Sequence, residues 1–131
     1  MPLFTPELGL VFPYWYLWED QAADGGKSGY KPRPALIVAV CVEGNRTPVV
    51  VSPFTTSKPS QNTNCMEADH SWGVSLPQFP CYLILDEQNA FAWPGFDLPN
   101  NPVPYGKLNA GIMRTILERI SSLNPVSVSR D

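Results

Sequence analysis

A chain of 131 residues with 44% hydrophobic content is the size of one domain and is too apolar to be a disordered protein. Its net charge of −3 excludes a uniformly basic nucleic-acid coat, though not a local basic groove. Three cysteines without CxxC spacing and fifteen prolines speak against a disulfide framework, a zinc site and a fold built of long helices. No metal or other cofactor is called for. No basic-start leader opens the chain, and no apolar run nears the ~20 residues that span a bilayer. A reduced cytoplasmic setting away from membranes is expected.

Leu8 to Trp18 is dense in aromatic and aliphatic residues and reads as a first strand, bent or broken at Pro13. Its rings belong to a core or dimer interface, with Trp18 as the one exposed candidate for base stacking. Glu19 to Tyr30 switches to Asp, Glu, Gly, Ser and Ala around Gly25-Gly26, the composition of a long mobile loop. Ala35 to Val42 is a nearly continuous apolar strand, Glu43 to Arg46 a turn, and Pro48 to Phe54 the returning strand of a hairpin. Ser57 to Gly73 reads as a second long polar loop and Val74 to Leu76 as a short strand. Cys81 to Leu85 reads as a third strand, which Ala90 to Trp93 continues past a bulge. Pro94 to Pro104 holds four prolines and must be extended or turning. Ile112, Met113, Ile116, Leu117, Ile120 and Leu123 recur at the spacing of one helical face, capped by Asn109 and ended by Asn124-Pro125. The expected fold is mostly β (α+β): a small twisted antiparallel barrel with a C-terminal amphipathic helix. Residues 1–124 make a single domain and 125–131 a frayed tail.

Two segments carry the chemistry. Arg33 stands at the start of one strand of the hairpin, and Thr55-Thr56 at the end of the other. In an antiparallel pair those ends share one rim of the sheet. A guanidinium fork beside hydroxyls suits a phosphate. Lys27, Lys31, Arg33 and Lys58, four of nine basic residues, flank these segments. The bland alternatives are a solvated pair of loops and a structural ion pair of Arg33 with Asp86 or Glu87. His70 beside Asp69 has the makings of an acid–base pair, although a lone loop histidine is most often solvated.

Four segments, Arg33-Pro34-Ala35-Leu36-Ile37-Val38, Ser52-Pro53-Phe54-Thr55-Thr56, Leu85-Asp86-Glu87-Gln88 and Tyr105-Gly106-Lys107-Leu108-Asn109, resemble in content and order the MazF/PemK (Kid) toxins of type II toxin–antitoxin systems. The resemblance implies an SH3-like barrel with a C-terminal helix, a homodimer, and a metal-independent endoribonuclease acting on single-stranded RNA. It also implies a small antitoxin protein that neutralises the toxin. Carried over by motif, Arg33, Thr55 and Glu87 are the catalytic set, with Lys27, Lys31, Thr56, Lys58, Gln88 and Trp18 holding RNA. RNA brings its own nucleophile in the 2′-hydroxyl. Arg33 would stabilise the phosphorane, Thr55 would donate a second hydrogen bond, and Glu87 would take the 2′-hydroxyl proton. The chain departs from the family pattern at Ala90, often basic there, in its Tyr14-Trp15-Tyr16-Leu17-Trp18 first strand, and in acidic Glu19, Asp20 and Asp24. Two non-catalytic readings therefore stay open: a gyrase inhibitor similar to the CcdB toxins, and a degenerate binder of RNA or antitoxin.

Overall fold

The computed structural model describes residues 4–18, 32–94 and 103–129. The chain is mostly β, an antiparallel curled half-barrel sheet with one helix near the C-terminus. In chain order the strands are β1 (Leu10–Tyr14), β2 (Arg33–Val40), β3 (Pro48–Thr55), β4 (Cys65–Glu67), β5 (Tyr82–Ile84), β6 (Glu87–Ala92) and β7 (Gly106–Lys107). Helix α1 (Ala110–Ser121) and β8 (Val126–Ser129) follow. The main path across the sheet is β4-β5-β3-β2-β1-β7. One edge of β3 takes β2 along its length, while the other is divided between β6 and β5. That division bends the sheet and brings the β5–β6 junction alongside β3.

Both faces of the sheet are covered, which is why β2 and β3 read as continuous apolar runs rather than alternating ones. On one face Leu36, Val38, Phe54 and Leu83 pack with Trp72, Met113 and Ile116. On the other, Phe12, Tyr14 and Tyr16 pack with Ala35, Ile37, Val49, Val51 and Phe91. Tyr14 stacks on Phe91 with ring centroids 5.0 Å apart.

The strand through Pro13 is not broken. Pro13 lies directly opposite Pro34, a pair that cannot exchange N–H bonds, so both prolines occupy a position where the ladder needs no donor. The stretch 57–73 is not all loop: β4 pairs with β5, and a 3-10 turn, His70–Trp72, anchors the chain by burying Trp72. Asp69 caps that turn by accepting from the Ser71 backbone N–H. Val74 forms only an isolated bridge, to Gly106. What reads as one strand from Cys81 onward is two, separated by a bend at Leu85-Asp86. As far as Ser129 the tail is paired rather than frayed. Val126–Ser129 pairs in parallel with β6, and Val126 N–H donates to the Asp86 carbonyl at 3.0 Å. Its Val-Ser-Val-Ser alternation is a short strand pattern, and the outer edge of β6 supplies the partner. The long loop expected at Glu19–Tyr30 and most of Pro94–Pro104 lie outside the described residues.

The Tyr105–Asn109 segment is explained by the backbone it must make. Gly106 has φ +130°, and a Cβ there would meet the Gly73 carbonyl oxygen at 3.3 Å, so only glycine fits comfortably. Asn109 Oδ1 accepts from Ile112 N–H at 2.9 Å, and its Nδ2 donates to the Ser71 carbonyl at 2.8 Å. One side chain caps α1 and fastens it to the 3-10 turn. Among the described residues no helix is long and apolar enough to cross a membrane.

Ile116, fully buried where α1 meets the sheet, measures how much the helix contributes. Ile116→Ala is expected to lower unfolding free energy by ~2–5 kcal/mol, read as a lower urea midpoint at unchanged slope. A midpoint equal to wild type would mean that α1 is not part of the cooperative core.

Candidate functional site

Strand alternation decides which side chains can meet. Arg33 shares parity with Ala35 and Ile37 in β2, and lies opposite Tyr14. Thr55 shares parity with Val49 and Val51 in β3, and Glu87 with Phe91 in β6. All of those reference residues belong to the aromatic core, so Arg33, Thr55 and Glu87 project from one face of the sheet. The β2–β3 register, with Ala35 opposite Pro53, carried two residues further sets Thr55 beside Arg33. Glu87 opens β6 just after the bend that brings the chain alongside β3.

Two neighbouring concavities meet at Thr55. The first, about 170 Å³, is lined by Arg33, Thr55, Thr56, Gln78 and Cys81. The second, about 340 Å³, is lined by Trp18, Thr55, Lys58, Thr63, Asp86 and Glu87. Trp18 joins them, because the Arg33 Cζ sits 5.2 Å from the centroid of its ring. Trp18 also meets Tyr16 edge-on, with ring centroids 4.9 Å apart.

Arg33 is half-buried and forms no ion pair with Asp86 or Glu87 among the described residues. Asp86 instead accepts from the Asn64 backbone N–H at 2.9 Å. Burial pushes the guanidinium pKa down from its ordinary value. The indole face offsets part of that cost, ~0.5–2 kcal/mol for such a contact. A partly desolvated cation held against an aromatic ring, without a carboxylate partner among the described residues, is suited to an anion from outside the protein.

Other expected site residues fall differently. Thr56 and Lys58 are exposed and line the first and second concavity respectively. Gln88 is buried and, by alternation, points to the face opposite Glu87; it lines neither concavity. Lys27 and Lys31 lie outside the described residues. His70 lines neither concavity: its ring packs on Phe79 at 4.2 Å between centroids. Asp69 is occupied by Ser71, whose hydroxyl and N–H hold its carboxyl below the usual range. Asp69 therefore serves the turn through Ser71, while His70 packs on Phe79.

Cys81, in the wall of the first concavity, has its thiol pushed up to about 11 by burial. At pH 8 its thiolate fraction is on the order of 10⁻³. Iodoacetamide at that pH is expected to alkylate exposed Cys41 first and Cys81 last, as read by mass spectrometry of time points. A raised folded value favours the protonated native state. The stability contribution is complete below the ordinary thiol value and is lost as pH climbs through about 11.

Two residues in this site carry no advance sequence signal. Thr63 comes from a segment that reads as loop. Asn89 is buried inside β6, and its amide bonds Leu17 from 72 residues away. No protein-family model, curated protein or solved structure matches this chain.

Proposed function

We propose that this rim binds a phosphodiester of single-stranded RNA and cleaves it by attack of the 2′-hydroxyl, without a metal. The carrying observation is the half-buried Arg33 guanidinium, held on Trp18 and lacking an ion-pair partner among the described residues, beside Thr55 and on the face of Glu87. In this reading Arg33 and Thr55 donate to the non-bridging oxygens as charge builds on phosphorus. Glu87 accepts the 2′-hydroxyl proton as the 2′-oxygen bonds to phosphorus and the bond from phosphorus to the 5′-oxygen breaks; the departing 5′-oxygen takes its proton from solvent water, leaving a 2′,3′-cyclic phosphate and a free 5′-hydroxyl. Trp18 and Lys58 hold the neighbouring nucleotide by stacking and charge. The resemblance to MazF/PemK toxins extends the proposal to a cytoplasmic homodimer silenced by a small antitoxin protein.

A second reading, a non-catalytic interaction protein, is favoured by one feature. An open groove of about 800 Å³ runs along α1, lined by Leu8, Leu108, Met113 and Leu117 with Arg114 at its edge. Leu8 is 43% exposed there. One assay separates the two. Purified protein is incubated with single-stranded RNA in EDTA, and products are mapped for cyclic-phosphate ends. Discrete cyclic-ended fragments are expected. Intact RNA under conditions where the protein is folded would sink the nuclease reading.

A further inference from the structure

We infer that Asn89 is a positioning residue that substitutes its side-chain amide for a missing strand neighbour and thereby fixes Trp18 over Arg33. Asn89 is fully buried in β6, its backbone already paired with Val51 of β3 on one side and Val128 of β8 on the other. Its side chain turns to the aromatic face. There Oδ1 accepts from Leu17 N–H at 2.9 Å, and Nδ2 donates to the Leu17 carbonyl at 2.8 Å. A donor and an acceptor spaced as on a peptide edge satisfy both polar groups of one residue, the pattern that a flanking strand would otherwise provide.

The segment it grips has left the sheet. β1 ends at Tyr14, and Leu17 is nonetheless buried. The two amide bonds replace the lost ladder and set where the next residue, Trp18, can go. Trp18 then meets Arg33 and forms a wall of the concavity that also holds Thr55 and Glu87. Asn89 lies two residues from Glu87 on the same strand and face. The clamp thus ties the aromatic wall to the strand that carries the carboxylate. Its consequence for catalysis rests on the RNA-cleavage reading; its consequence for Trp18 does not.

The test uses the full chain labelled with 5-fluorotryptophan, whose four tryptophans give four ¹⁹F signals, Trp18 being assigned from Trp18→Phe. Asn89→Leu keeps the side-chain size and loses both the donor and the acceptor to Leu17. The Trp18 signal is expected to shift or broaden while that of Trp72, in the opposite core, holds. A folded Asn89→Leu protein with an unmoved Trp18 signal would overturn the clamp. Should the variant not fold, wild-type hydrogen exchange decides. Leu17 N–H is expected to exchange ~100-fold or more below the unprotected rate, and unprotected exchange would overturn the inference. In RNA cleavage, Asn89→Leu is expected to lower kcat ~100-fold with KM little changed. A displaced Trp18 with undiminished kcat would sever the clamp from the chemistry. A displaced Trp18 in a protein whose wild type leaves RNA intact would uphold the clamp and sink the nuclease reading.

Discussion

Arg33→Ala is expected to slow cleavage of single-stranded RNA by ~10²–10³-fold, the usual effect of deleting one preorganised donor to a charged transition state. The guanidinium is half-buried and sits at the start of β2, where truncation removes its contact to Trp18. Loss of that contact costs ~0.5–2 kcal/mol, so the melting temperature should fall by only a few degrees. Arg33→Lys separates charge from geometry. It keeps a cation on the rim and loses the planar fork, and its rate should lie between wild type and Arg33→Ala. Single-turnover kinetics at saturating protein, with calorimetry on the same samples, reads both quantities. An Arg33→Ala protein that cuts at the wild-type rate would remove this residue from the mechanism.

How much of this was legible in the residues follows from how local each signal is. The β2–β3 hairpin and α1 were readable because each announces itself within about a dozen residues: largely apolar, Val-rich runs around Glu43–Arg46, and an apolar helical face between Asn109 and Asn124-Pro125. Arg33 and Thr55 inherited that legibility, since hairpin register alone places them at one end. β8 was not readable. Four alternating residues after a proline become a strand only when β6 offers an edge, and nothing near Val126 encodes β6. Asn89 is the sharper case. An asparagine that follows Asp86-Glu87-Gln88 looks like the end of a polar turn, and its partner, Leu17, is 72 residues away. Gln88 shows the opposite error. It stands beside Glu87 in a motif, yet the strand's two-residue period sends it to the other face.

Glu87→Gln is expected to lower kcat for RNA cleavage by ~10²–10⁴-fold, the range over which a positioned general base contributes. The substitution is nearly isosteric, which matters because Glu87 Oε2 is buried and because its backbone pairs with Val126 at the start of β8. Gln preserves volume and strand pairing while removing the basic oxygen, so KM should stay close to wild type. A rate loss carried by KM would instead indicate that Glu87 shapes the binding surface. The pH–rate profile offers an independent readout: the acid limb, where wild-type rate falls as a carboxylate takes up its proton, should vanish in Glu87→Gln. The double variant Arg33→Ala/Glu87→Gln then tests whether the two groups serve one step. Groups acting on the same transition state are strongly non-additive, so the double variant should be little slower than the worse single variant. Full multiplicativity would mean that the guanidinium and the carboxylate act independently, and that their shared face is not a shared site.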